Sequence, residues 1–449
     1  MNKEIRTVSS DGSLIERMID LALTPAGDLP QAARALATLS LMDWLVCARA
    51  GADEPVGEIL RAMIAHEGGV PEASVTGGAP APARAAALVN GTIGHAIDYD
   101  DTHFAHIGHP SAAIYPAALA VAEMEDLSAE AVCTAFLVGA EASIRIGCVL
   151  GREHYNRGFH QTATAGAFGA TLAAARLLRL TRGQVRAAIG LCASRAAGLR
   201  CQFGTMGKPY NAGIAAASGV ECALLARAGL TSADDGLMGP QGFVMTHSNQ
   251  PDPDAANAEG FLFEAISHKL HACCHGTHAM IEVLRNVERG DPDQVAAVTV
   301  RTSPRWLSVC NIPVPRTGLE VKFSYPWLAA MVLHDRSTQD DRAFTDALAR
   351  DAELGRTAAL VEVRGDGSLT ETQAAVEIVT VDGRRIAGAH DLSRRPPLPD
   401  LRASLVAKAR ASLGQEAERI IGSIDMIDEL SAREIGALLV LQPRVARAG

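Results

Sequence analysis

Apolar residues recur along most of this chain at helical spacing. Leu36, Leu39, Met42, Leu45 and Val46 fall three or four apart between Pro30 and Ala50, so one face of that stretch is apolar. A helix is predicted there, opened by Pro30 at a first-turn position. The same spacing predicts helices over Ser13–Leu23, Val56–His66, Pro82–Gly94, Ser111–Met124 and Ser128–Leu150. It continues through Thr164–Leu180, Thr181–Ala197 and Ala212–Ala228. Three polar stretches interrupt it: Gly94–Pro116, Arg152–His160 and Arg200–Asn211. From about Lys269 the period changes. Val295–Thr302 alternates as a strand does, and Ala359–Val363, Ala375–Val381 and Arg384–Ile386 read likewise, the last two joined by Asp382-Gly383 as a hairpin turn. After Pro399 the helical period returns. The pattern predicts a mainly α protein with an all-helical domain (residues 1–268 and 396–449) and an inserted α+β domain (residues 269–395).

Length agrees, because 449 residues exceed what one compact core holds. Aromatics make up only 4% while Ala is abundant, which suits close helix packing better than sheet. The net charge of -10 argues against general nucleic-acid binding. The polar N-terminus, MNKEIRTVSSDGSLIERMI, lacks a secretory core, and nine scattered cysteines without CxxC suit a reducing compartment. A cytoplasmic protein with free thiols is expected. The most membrane-like stretch, Leu127–Leu150, carries Glu141 and Arg145 four apart, so a buried or dimer-contact helix is expected rather than a span.

Candidate chemistry concentrates in the polar stretches. The first, GHAIDYDDTHFAHIGHPSAAIYP, sets His95, His103, His106 and His109 beside Asp98, Asp100 and Asp101. Imidazole and carboxylate together suit Zn, Fe or Mn, but Gly108-His109-Pro110 ends any helix, so the three spaced histidines do not share a face. The other reading is acid–base chemistry, with His109, fixed before Pro110, as the first choice. The adjacent aspartates also fit plain helix capping. Lys208, in GTMGKP at a helix start, is a candidate carboxylate anchor. His160 closes its stretch with Tyr155 and Arg157 nearby. KLHACCHGTH offers Cys274 as a thiol that neighbouring histidines could activate, and Lys322 lies in a second lysine break, KFSYP. No G-x-G-x-x-G follows a strand, and no cysteine framework suits an iron–sulfur cluster.

These stretches, in this order, resemble the MmgE/PrpD family of 2-methylcitrate dehydratases, cis-aconitate decarboxylases and iminodisuccinate epimerases. The matching text is NGTIGHAIDYDDTH, GHPS, HYNRGFHQTATAGAFGA, FGTMGKPYNAG, KLHACCHGTHAMIE and KFSYPWLAA. The resemblance implies a helical domain with an α+β lid, a homodimer, and a site between domains that uses no cofactor or metal. It implies a small di- or tricarboxylate substrate, with no nucleic-acid or membrane partner. Motif by motif, it assigns catalytic roles to Asp98, His109 and Lys208, with Cys274 or His275 at the lid position, and substrate contacts to Thr102, His160, Tyr155, Asn211 and Lys322. Three residues depart from the pattern: Asn211 and Cys274 stand where members often have His, and Gln161 where Pro is common. The expected activity is that of a lyase or epimerase, in which Lys208 holds a carboxylate, His109 moves the proton, and Asp98 fixes the His109 tautomer or binds substrate. A metal-dependent hydrolase using the His/Asp loop is the alternative, with a non-catalytic helical paralogue behind it.

Overall fold

The computed structural model describes residues 13–440, which divide into two compact units. The first runs through His268 and resumes at Glu418; the second spans Lys269–Ala417.

The first unit is built of helices α1 (Leu14–Leu23), α2 (Gln31–Ala50), α3 (Pro55–Glu67), α4 (Ala83–Gly94), α5 (Pro110–Met124), α6 (Ala129–Asn156), α7 (Gln161–Leu177), α8 (Arg182–Ala193), α9 (Gly207–Arg227) and α10 (Phe243–His247). In α1 the apolar residues Leu14, Ile15, Met18, Ile19 and Ala22 are buried, and the Ser13 side chain caps the helix by accepting from Glu16 N–H. Small residues let α6 and α7 approach closely. A Cβ on Gly139 would sit 2.4 Å from the Gly169 carbonyl oxygen, so neither position tolerates a larger residue without separating the helices.

The expected break at Arg152–His160 is only partly one. Helix α6 continues to Asn156, interrupted at Gly151, whose φ of 71° only glycine adopts cheaply. Among the described residues α6 is the one helix long and apolar enough to cross a membrane, and 89% of its most apolar window is buried inside the protein. Its Glu141 pairs with Arg145 at 2.7 Å and accepts from the Leu262 and Phe263 N–H groups. Arg145 in turn donates to the carbonyls of Ala256, Ala258 and Gly260. The two charges pin an irregular segment to the helix.

The second unit contains α11 (His278–Asn286), β1 (Val295–Thr302), α12 (Pro304–Val309), α13 (Gly318–Val321), α14 (Tyr325–Leu333), α15 (Ala352–Ala358), β2 (Val361–Gly365), β3 (Gln373–Thr380), β4 (Arg385–Asp391) and α16 (Leu398–Leu413). Its sheet has the order β2-β1-β3-β4. β1 is parallel to β2 (Val298 opposite Val361) and antiparallel to β3 (Val298 opposite Ile378). β3 and β4 form the expected hairpin, and Gly383 supplies the φ of 85° its turn requires. Alternate residues of β3, namely Ala374, Val376, Ile378 and Thr380, are buried, as a strand with one covered face demands.

Helix α16 departs from expectation. It was expected in the helical domain but lies in the second unit, which therefore extends past residue 395. Leu401, Leu405 and Ala409 of α16 are buried, and Arg342 donates to the Ala411 carbonyl at 3.1 Å. The fully buried Lys408 is close enough to His271 to act on its charge. The chain then returns to the first unit as α17 (Ala417–Asp425) and α18 (Ala432–Gly436), tied by Ala129 N–H to Leu430 and Ala432 N–H to Leu127, both at 2.8 Å.

Candidate active site

The polar stretch after α4 is a loop held at many points. His95 caps the C-terminus of α4, and His109 stands at the N-cap of α5 with Pro110 as its first helical residue. Asp98 and Ile107 both have positive φ, 53° and 54°, a conformation that side chains other than Gly adopt at a cost of roughly 1–3 kcal/mol. The loop's contacts hold it there. Thr102 exchanges backbone hydrogen bonds with Ser267 at 2.9 and 2.8 Å. Asp101 accepts from Ser111 N–H (3.1 Å) and Oγ–H (2.6 Å) at the start of α5, and His109 N–H donates to Thr162 Oγ1 at 3.0 Å.

Two of the four histidines serve this scaffold. His103 Nε2 lies 2.9 Å from the Leu262 carbonyl oxygen, and burial lowers its pKa to about 4. His106 is fully buried against α6, where a Cβ on Gly147 would lie 2.1 Å from its Nδ1. Burial holds this ring well below the ordinary imidazole range, so it stays neutral.

The other two share one carboxylate. Asp100, fully buried, has His95 Nδ1 at 2.9 Å from Oδ1 and His109 Nδ1 at 3.1 Å from Oδ2. Burial alone would raise the Asp100 pKa, but the two imidazoles outweigh it and hold the carboxyl well below its usual range. His95 is lowered to about 4, first by burial and then by Lys208 and His109, against the pull of Asp100. It is a neutral donor at physiological pH. Lys208, in the first turn of α9, reaches Asp98 Oδ1 at 2.7 Å, and His109 Nε2 lies 3.7 Å from the same oxygen. The side chains of Asp98, Lys208 and His109 are 34%, 16% and 12% exposed, so they form the accessible edge of the cluster over a buried floor. His160 lies behind them, its ring 6.0 Å from His95 and stacked on it, with Asn211 donating to its Nδ1 at 3.2 Å. Burial, with the neighbouring His95, Lys208 and His109 adding to it, holds His160 well below the ordinary imidazole range. The assembly joins one ammonium, two carboxylates and an accessible imidazole, which suits anion binding and proton transfer.

Comparison with known proteins gives this arrangement a context. The MmgE/PrpD N-terminal domain model matches residues 21–256 and the MmgE/PrpD C-terminal domain model residues 271–421. The chain belongs to the MmgE/PrpD family. It is 31% identical over 232 residues to the cis-aconitate decarboxylase-like protein oryM of Aspergillus oryzae, covering 47% of this chain and 48% of that protein. It is 29% identical over 338 residues to the cis-aconitate decarboxylase of Aspergillus terreus (69% of each), and 27% identical over 272 residues to the human one (57% and 56%). The chain thus spans about half the length of the first of these relatives and about two thirds of the second.

Within this MmgE/PrpD chain, Asp98, His109, Lys208, His160 and Asn211 come together as one group. At Tyr155 the Arg200 guanidinium lies 3.8 Å over the ring and donates to the carbonyl at 2.9 Å. Thr102 is held at the loop's anchor to Ser267. Cys274, His275 and Lys322 belong to the second unit. There Cys274 N–H donates to the Lys322 carbonyl at 3.0 Å, His275 is buried with its ring 4.6 Å from His278, and the Lys322 ammonium is paired with Asp341. Asp100 and His95 are the members of this group to which the family resemblance assigns no role. His95 stood in the selected stretch, but nothing in the text says which aspartate of DYDD turns inward.

Proposed function

We propose that this MmgE/PrpD chain is a cofactor-independent lyase or isomerase acting on a small di- or tricarboxylate. It transfers a proton at the carbon next to a carboxylate. The observation that carries the reading is the accessible edge formed by Lys208, Asp98 and His109, with Lys208 2.7 Å from Asp98. A substrate carboxylate takes the ammonium of Lys208 from Asp98, exchanging one anion for another. The same ammonium stabilises enolate charge as it develops. On a decarboxylation path the C–CO2 bond breaks, its electron pair enters the enolate, and the His109 imidazolium delivers a proton to carbon. On a dehydration path His109 takes the α-proton, the enolate electron pair forms the C=C bond as the C–OH bond breaks, and the His109 imidazolium returns that proton to the departing hydroxyl, which leaves as water. Names of the relatives support the first path, and the departures at Asn211 and Cys274 point to a substrate other than methylcitrate or cis-aconitate. The test is a panel of citrate-like and aspartate-like acids incubated in D2O and followed by proton NMR. Elimination, decarboxylation or deuterium exchange with at least one acid is expected; no change with any acid refutes the reading.

One observation favours a second reading. Ligand atoms of His95, Asp98, Asp100 and His109 all lie within 4.8 Å of one another, a set that fits a divalent metal. Against it, the Lys208 ammonium already occupies Asp98, and a dication would have to expel it. Full activity after exhaustive EDTA, with no stoichiometric metal by elemental analysis, rejects the metal-dependent hydrolase; loss restored by one added metal supports it.

A further inference from the structure

We infer that Asp100, held by His95, is the positioning residue that fixes the tautomer of His109. This extends the proton-transfer reading above and rests on it for its catalytic consequence. The expectation for Asp98 is to fix that tautomer or to bind substrate, but the geometry divides the carboxylates differently. Asp98 is one-third exposed, sits on the Nε2 side of His109 at 3.7 Å and is occupied by Lys208 at 2.7 Å. Asp100 is fully buried and lies 3.1 Å from Nδ1.

The argument is electrostatic. His109 Nδ1 is shielded from solvent and has no aligned hydrogen-bond partner, so the Asp100 carboxylate at 3.1 Å is the charge that decides its state. A lone pair on Nδ1 would face a carboxylate oxygen 3.1 Å away, too close for a bridging water, which is repulsive. A proton on Nδ1 is attracted. His109 is therefore Nδ1–H when neutral, and its Nε2 lone pair faces the accessible edge where Asp98 and Lys208 stand.

His95 makes the arrangement one-sided. Its Nδ1 contacts both oxygens of Asp100, at 2.9 and 3.1 Å, and its ring packs edge-on against His109 with centroids 4.5 Å apart. A neutral His95 that donates from Nδ1 fills one coordination direction of the carboxylate and leaves Oδ2 facing His109. The backbone of His109 is fixed independently by Thr162. Ring orientation, tautomer and main chain are each set by a different partner.

Two measurements test this. The first is 15N NMR of histidine-labelled wild-type protein, with the His109 signals identified by their loss in His109→Asn. At a pH where the ring is neutral, Nδ1 should carry the proton and Nε2 should show the pyridine-type shift; the reverse tautomer overturns the inference, whatever the enzyme turns over. The second is Asp100→Asn with the polycarboxylate that wild type converts. A drop in kcat on the order of 10²–10⁴ with KM within about threefold is expected. A kcat within about threefold of wild type overturns the positioning role. If Asp100→Asn does not fold, the wild-type tautomer decides alone. A wild type inert to every acid sinks the catalytic reading without touching the tautomer assignment.

Discussion

Replacing Lys208 by Met separates a binding role from a structural one, because the two predict effects of very different size. The change removes the ammonium 2.7 Å from Asp98 and keeps most of the aliphatic stem. Asp98 is one-third exposed, so after solvent screening the pair contributes at most about 1 kcal/mol to stability, and for a unit of this size the melting temperature should fall by about 2 °C or less. Catalysis should suffer far more. A charge-assisted hydrogen bond to a substrate carboxylate contributes about 1.5–3 kcal/mol, or roughly 10- to 150-fold in kcat/KM. Lost stabilisation of enolate charge could carry the deficit to about 10³-fold. The assay is kcat/KM on the best acid of the panel, with a thermal melt of the same preparation and Lys208→Arg as control. Arg keeps the charge but not the compact ammonium, so KM should recover more than kcat. If Lys208→Met stays within about threefold of wild type, the anchoring role is refuted. If activity falls only together with a drop of more than about 5 °C, the residue is structural.

Other perturbations probe the scaffold. Burial, with Asp43 and Asp100 adding to it, raises the Asp101 pKa to about 8 against an ordinary 3.8. Between those values the native state holds a proton that the unfolded chain has released, so stability falls as pH rises from about 4 to 8, by at most ~1.4 kcal/mol per unit. Asp101→Asn should flatten that part of the urea-denaturation profile, and an unchanged slope contradicts the assignment. Gly147→Ala drives a methyl into the His106 ring, which its Cβ would meet at 2.1 Å, and should cost about 1–3 kcal/mol in chemical denaturation. Arg145→Met leaves buried Glu141 without its cation and should cost about 3–5 kcal/mol, while Glu141→Gln with Arg145→Met together should recover part of that loss.

The periodic parts of this protein were legible because burial imposes the period. Strand Val295–Thr302 and the Asp382-Gly383 hairpin come directly from alternation and turn chemistry. The polarity of Arg152–Asn156 predicts a loop, whereas those residues continue α6 beyond Gly151. Helix α16 lies in the second unit against expectation because an apolar stripe says that a helix is covered, not which unit covers it. In the site, His109 and Lys208 could be selected because Pro110 and Gly207 fix them at helix starts. Asp98 and Asp100 could not be told apart. They are two residues apart in a loop whose path depends on positive φ at Asp98 and Ile107, and no periodicity governs such a path.

Because the first unit is completed by residues after Glu418, it cannot finish folding on the ribosome until the whole second unit has been made. Bridging that interval as a flexible coil of roughly 150 residues would carry a closure entropy of about 4 kcal/mol. A second unit that has already collapsed shortens the interval and lowers this barrier. The segment after Glu418 then docks its backbone on Leu127 and Ala129, at the start of the helix that also carries Glu141. Chains cut near residue 418 should therefore accumulate with α6 incompletely covered, and refolding of the intact protein should show a slow phase set by arrival of the tail rather than by formation of the helices.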